Sequence, residues 1–267
     1  MCATCGCDGA GAVVHAHDGH VHAHASADTR TVVLQQKILA KNDGLAERNR
    51  VFLAERGVVM VNLMSSPGSG KTTLLERTAR ELVGRLRIGV IEGDQETSLD
   101  AGRIGAAGCA VVQVNTGTGC HLDAEMVGAA LRELDPVPGS VVVVENVGNL
   151  VCPALFDLGE ARRIVLASVP EGEDKPAKYP HMFRQADLVL VSKVDLLPYL
   201  RFDLGRYQTD LARIAPAARV MKISAESGEG LTGWYDWLAD ALPWPGAGDR
   251  GHHGLAQADA AVVAGDP

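Results

Sequence analysis

Ser65-Ser-Pro-Gly-Ser-Gly-Lys-Thr72 is the stretch whose reading decides the fold. An apolar run, Val58-Val-Met-Val-Asn-Leu-Met64, precedes it and has the composition of a buried strand. The residues after it, Lys71 to Leu82, put Leu74, Leu75, Thr78, Ala79 and Leu82 on one face of a helix. Strand, glycine turn and helix start are the context in which this pattern becomes a P-loop. Gly68 and Gly70 allow backbone N–H groups to converge on phosphate oxygens, and the helix N-terminus adds its positive end. Lys71 supplies a charge for the outer phosphates, and Thr72 supplies a hydroxyl for Mg²⁺. Ser66, Ser69 and Thr73 complete the phosphate cradle. Ser65 stands where GxxxxGK[ST] has its first glycine. The alternative, an ordinary glycine-rich turn, does not require the lysine and threonine that open this helix.

Outward from the motif, the pattern is regular. Strands are expected at Val58–Met64, Arg87–Ile91, Ala110–Asn115, Ser140–Glu145, Arg163–Ser168, Leu188–Ser192 and Arg219–Ile223. Helices are expected over Lys71–Val83, Asp94–Ala107, His121–Glu133, Tyr199–Ile214 and Leu231–Ala241. Such alternation predicts an α/β fold, a mainly parallel sheet covered by helices on both faces, with ligands at the C-terminal strand ends. Three zones differ in composition: a Cys/His-rich tail over 1–29, a P-loop domain over 30–242 that begins with a polar helix-like lead-in, and an Ala/Gly/Pro/Asp-rich tail over 243–267 expected to be disordered.

The 267 residues suffice for one large α/β domain plus tails. Apolar residues make up 46% and aromatics only 4%, so the core must be aliphatic. A net charge of −8 argues against general nucleic-acid binding. No apolar run is long enough to span a membrane, and no secretory signal is recognised, so a cytoplasmic location is expected. In a reducing compartment, six cysteines point to metal or redox chemistry rather than a disulfide framework.

Ser192-Lys-Val-Asp195 follows the strand at Leu188 and resembles the [N/T/S]KxD element that reads guanine. Asp195 would accept from the ring N1–H and the exocyclic amine, a donor pair adenine does not offer. With the wrong base the carboxylate is left unpaired, and that cost produces the discrimination. Lys193 would lay its stem along the base. Ser224-Ala225-Glu226 follows the next strand and resembles the loop that closes a guanine site. Val141-Val-Val-Val-Glu-Asn-Val-Gly148 occupies the position of a DxxG element, with Glu145 in place of Asp. Gly148 would donate its N–H to the γ-phosphate. Glu92-Gly-Asp-Gln-Glu-Thr97 adds Asp94 as an acid for orienting Mg²⁺ or water, with Asp100 as a second candidate. Either could instead be a helix N-cap.

Taken in order, SSPGSGKTT, EGDQET, NTGTGCHLDAEMV, VENVGNLVCPALFDLGE, SVPEGEDKPAKYP and SKVDLLPY resemble the hydrogenase nickel-incorporation GTPase family, HypB, over roughly residues 30–240 plus Cys2–Cys7. The resemblance implies a SIMIBI-class P-loop GTPase that helps load nickel into [NiFe]-hydrogenase. It also implies a homodimer when GTP is bound and a small nickel partner of the HypA type, with the hydrogenase large subunit as recipient.

Two metal sites are expected. Cys2, Cys5 and Cys7 are close enough in sequence for one ion to gather them. With the α-amino group of Cys2, if Met1 is removed, they would suit square-planar Ni²⁺; with an added His they would suit tetrahedral Zn²⁺. The tract His15–His24 would act as a metal reservoir, or be an incidental polar linker. The resemblance assigns a second site to Cys120, His121 and Cys152, with Cys120-His121 starting a helix. Where many relatives carry a His, this chain has Glu125, which would offer a harder oxygen ligand. Cys109 has no ligand neighbour and reads as a small buried hydrophobe. The leading reading is a GTP-hydrolysing nickel metallochaperone. The alternatives are a related GTPase for urease maturation or cobalamin-enzyme protection, or a nickel storage protein.

Overall fold

A computed structural model describes residues 29–95 and 99–242, with side chains from Gln36 onward. The expectations for Cys2, Cys5, Cys7, the His15–His24 tract and the C-terminal tail concern residues outside those described.

Seven short apolar runs become seven strands: β1 Val59–Ser65, β2 Ile88–Asp94, β3 Ala110–Asn115, β4 Val141–Glu145, β5 Arg162–Ser168, β6 Leu188–Ser192 and β7 Arg219–Lys222. They form one sheet in the order β3-β2-β4-β1-β5-β6-β7. Every pairing is parallel. Parallel pairs need crossovers, and among the described residues eight α-helices supply or flank them: α1 Thr29–Glu55, α2 Lys71–Leu82, α3 Leu99–Ala106, α4 Ala124–Leu134, α5 Lys175–Lys178, α6 Pro180–Arg184, α7 Leu204–Ile214 and α8 Leu231–Asp240.

Central strands buried on both faces read as continuous apolar runs, because successive side chains serve opposite layers. On one face, Leu63, Val90 and Val143 pack against Leu74 and Leu75 of α2, Ile104 of α3 and Trp234 of α8. On the other, Met60, Ile91 and Val144 pack against Leu53 of α1 and Val127 and Leu131 of α4. Farther along that face, Val165 and Val189 meet Phe183 of α6 and Tyr207 and Leu211 of α7. Full burial of such a side chain contributes roughly 1.5–3 kcal/mol, so this aliphatic sandwich supplies most of the stabilisation. Half-buried Cys109 packs at its edge, in keeping with the small-hydrophobe reading.

Three helix boundaries differ from those expected. β2 continues to Asp94, so the next helix starts at Leu99 rather than Asp94. Cys120 and His121 do not open α4: the Asp123 carboxylate accepts from Met126 N at 2.9 Å and caps the helix there. The stretch expected as one helix from Tyr199 to Ile214 is a 3₁₀ turn, Val194–Tyr199, followed by α7, which the Asp203 side chain caps through Arg206 N. In each case a capping Asp or an extended strand overrides apolar periodicity.

α1 is strapped to the rest by polar contacts. Asn49, 6% exposed, donates to Ala124 O and Leu158 O at 2.9 Å each. Asn42 donates to Asp157 O and accepts from Ala124 N, and Arg50 pairs with Asp157. Gly159 lets the loop close on α1: its φ is +89°, and a Cβ there would stand 2.5 Å from Ala46 O.

Candidate functional site

The P-loop turn joins β1 to α2 at the centre of the sheet, where β1 has β4 on one side and β5 on the other. This is the kind of position where doubly wound sheets open a crevice for ligand. A cavity of about 510 Å³ lies here, walled by Gly68–Thr73, Asp100, Arg103, Lys193, Asp195 and Ala225. Ser65 uses its hydroxyl: it accepts from Lys71 Nζ at 2.8 Å and donates to Ser66 O at 2.7 Å. Ser69 Oγ also donates to Ser66 O, which ties the turn together. Burial lowers the Lys71 pKa, while the carboxylates of Glu145, Asp100 and Glu92 raise it.

Thr72 Oγ1 lies 2.8 Å from Glu145 Oε1 and 3.0 Å from Asp100 Oδ2. Glu92 stands directly opposite Glu145 in the β2–β4 register, and residues in register share a face. It is 2% exposed, and burial, followed by repulsion from Glu145, pushes its pKa up to about 8. Burial likewise raises Glu145 to about 7, against the opposing pull of Lys71. Oε2 of each carboxylate is buried without a hydrogen-bond partner among the described residues. Two orphaned buried carboxylate oxygens beside a threonine hydroxyl form an all-oxygen donor set that fits Mg²⁺. Asp94 lies at the end of β2, where its carboxylate accepts from Gln95 N, while Asp100 is the acid that meets Thr72. Glu92 was not among the expected site residues, because the strand was expected to end at Ile91 and only register sets Glu92 against Glu145.

On the base side, Lys193 adopts a left-handed conformation, φ 58°, that turns its side chain over the P-loop, and Nζ donates to Gly68 O at 2.7 Å. A non-glycine residue held there is costly and is typical of functional turns. Ser192, where Asn is more usual, donates its hydroxyl to Ser69 O at 2.9 Å and so ties this loop to the P-loop. Ser224 Oγ donates to Asp195 Oδ1 at 2.5 Å and orients the carboxylate from behind. Arg77 of α2 holds the Ala225 and Glu226 carbonyls and steadies the closing loop.

Beyond Glu145 the chain turns through Gly148, whose Cα packs so closely on Pro67 that a Cβ would lie 2.9 Å from its backbone. The loop then reaches Cys152, in a 3₁₀ turn, Cys152–Leu155. Cys152 converges with Cys120 and His121, and the three ligand atoms lie within 4.8 Å of one another. Cys120 Sγ is 3.6 Å from His121 Nδ1. The His121 ring stacks on Phe156 at 4.0 Å, and burial lowers its pKa, which keeps a nitrogen lone pair available near neutral pH. Two sulfurs and an imidazole nitrogen are a donor set for soft and borderline ions such as Ni²⁺ and Zn²⁺. Glu125 is not among the converging groups. It lies exposed on α4 and pairs with Lys41 of α1 at 2.9 Å, because the cap at Asp123 rotates it away from His121.

Comparison with known proteins gives a consistent picture. Residues 59–222 match the family model described as CobW/HypB/UreG, nucleotide-binding domain. The chain is 52% identical over 218 residues to the hydrogenase maturation factor HypB of Rhizobium leguminosarum bv. viciae, covering 82% of this chain and 73% of that protein. It is 42% identical over 213 residues to the hydrogenase/urease maturation factor HypB of Helicobacter hepaticus, covering 78% and 87%. A crystal structure of HypB from Helicobacter pylori in complex with nickel superposes with a TM-score of 0.71 at 38% identity, covering 75% of this chain and 94% of that one.

Proposed function

The chain belongs to the CobW/HypB/UreG family and within it to the HypB hydrogenase maturation factors, and we propose that it hydrolyses GTP with Mg²⁺ to time the delivery of Ni²⁺ to [NiFe]-hydrogenase. One observation carries this reading: Glu145, bonded to the P-loop Thr72, and Cys152, in the metal cluster, lie seven residues apart on one loop. Nucleotide chemistry and metal handling would therefore meet on one short stretch of chain.

In this reading Lys71 and the P-loop amides hold the phosphates, and Asp195 and Lys193 select guanine. Thr72, Glu145, Glu92 and Asp100 would hold Mg²⁺, with Asp94 a water-orienting acid. Bound Mg²⁺ neutralises charge that develops on the phosphates. Gly148 reports the γ-phosphate through its N–H. Nickel is cargo at Cys120, His121 and Cys152, and Zn²⁺ is the competitor for the same soft donors. Three donors per chain leave a coordination position open, which supports pairing of two copies in the GTP state. The N-terminal cysteines would collect nickel, with a HypA-type partner as co-worker and the hydrogenase large subunit as recipient in the cytoplasm. No described helix is long and apolar enough to cross a membrane.

The test pairs two measurements. Lys71→Ala should abolish GTP hydrolysis while leaving nickel stoichiometry intact, and Cys152→Ala should remove one bound nickel while leaving GTP binding intact. Unchanged hydrolysis in Lys71→Ala would instead favour a storage protein. The name of the H. hepaticus relative supports a second reading, in which urease is also served; hydrogenase and urease activities in a deletion strain separate the two.

A further inference from the structure

Glu145 and Asn146 are neighbours in sequence and point to opposite sides of the sheet. Glu145 faces the P-loop and accepts from Thr72. Asn146, 1% exposed, faces α4 and uses both ends of its amide. Its Oδ1 accepts from Val147 N at 3.0 Å and from Leu122 N, next to His121, at 3.2 Å. Its Nδ2 donates to Asn62 Oδ1 at 3.2 Å. Asn62 in turn donates to Glu160 Oε1, and Glu160 Oε2 accepts from Leu158 N, beyond the Cys152 turn. The direction of this chain is fixed: backbone N–H groups at one end require the amide oxygen, and the acceptor role of Glu160 at the other end requires Asn62 to donate toward it.

Three residues on, Asn149 makes a second link. Its Oδ1 accepts from Val151 N at 2.8 Å, and its Nδ2 donates to Cys120 O at 3.4 Å. Residues 145–149 thus touch Thr72 and Pro67 on the nucleotide side, and through two asparagines the backbone beside all three metal-cluster residues.

We propose that Asn146 and Asn149 are positioning residues that couple the two sites: a shift of the 145–149 loop on nucleotide exchange changes the spacing of Cys120, His121 and Cys152 through these two amides. The inference rests on the nucleotide and nickel reading given above and adds the residues that join them. Neither asparagine lines the P-loop cavity or belongs to the Cys120–His121–Cys152 cluster, so removing one should change the linkage between the sites more than the affinity of either.

The experiment uses the full chain with Cys2, Cys5 and Cys7 replaced by Ser, so that the thiolate-to-nickel absorption reports the internal cluster; Cys152→Ala gives the blank. Ni²⁺ dissociation constants are measured with GDP and with a non-hydrolysable GTP analogue, and nucleotide constants with and without Ni²⁺. Linkage requires the two ratios to agree, and a ratio of about five-fold or more is expected in the parent. Asn146→Ala and Asn149→Ala should each bring it below about two-fold, with the GDP-state constants shifted by less than that lost coupling. If Asn146→Ala fails to fold, Asn149→Ala, in a half-buried loop, decides. An unchanged ratio in Asn149→Ala overturns the proposal, as does a parent that binds nickel with a ratio of one. A parent cluster that takes no nickel overturns the site reading and the coupling with it.

Discussion

At the scale of residues, the paired acids Glu92 and Glu145 make the most specific demand on the chain. The folded protein holds the Glu92 pKa at about 8 against an ordinary 4.5, chiefly through burial. A carboxyl whose pKa rises on folding contributes stability that is complete below its unfolded pKa and is lost as pH rises through the folded value. Without Mg²⁺ and nucleotide, the thermal midpoint should therefore fall between pH 4.5 and pH 8, and Glu92→Gln should flatten that fall. Parallel slopes for the two proteins would refute it. Asp195 gives a second prediction. A hydrogen bond to a charged group contributes about 1.5–3 kcal/mol, so Asp195→Ala should weaken GTP binding by roughly ten- to a hundred-fold. Inosine triphosphate, which lacks the exocyclic amine, should lose less, as competitive nucleotide titration would record. Asp195 was legible because SKxD after a strand is a local pattern. Glu92 was not, because only strand register sets it against Glu145.

Among the elements, α1 does more than lead into the domain. Its Asn42, Asn49 and Arg50 grip the start of α4 and the loop at Asp157–Leu158, the segments that follow His121 and Cys152. Asn49→Ala would leave two buried carbonyls short of a donor, at about 1–3 kcal/mol each. We expect a matching loss in denaturant unfolding and a weaker nickel constant at the cluster. Loss of stability with nickel affinity unchanged would separate the strap from the metal site. Periodicity marked the long helices and placed the starts of α2 and α8, but it missed the starts of α3, α4 and α7 and the short α5 and α6. Asp123 and Asp203 end the loops before α4 and α7, and periodicity is silent about the last loop residue before a cap. That difference moved Cys120 and His121 from a helix into a turn, where they can approach Cys152.

For the whole molecule, Val151 and Leu155 are exposed on either side of buried Cys152, at 56% and 50%. If two copies pair here in the GTP state, Leu155→Glu should abolish the analogue-dependent increase in mass measured by light scattering. As a surface change it should alter monomer stability by no more than about 0.5 kcal/mol. Persistent pairing would locate the contact elsewhere. The sequence by itself determined the parallel α/β sheet, the P-loop, the Ser192–Asp195 SKxD pattern and the presence of soft ligands, since each depends on residues adjacent in the chain. Only the tertiary structure decided that Cys120, His121 and Cys152 converge, that Glu125 turns away to Lys41, and that Glu92 faces Glu145. It also decided that one five-residue loop touches both sites. Those facts depend on strand order, register and helix capping, which bring residues together across separations of 31 to 84 positions and leave no local pattern to read.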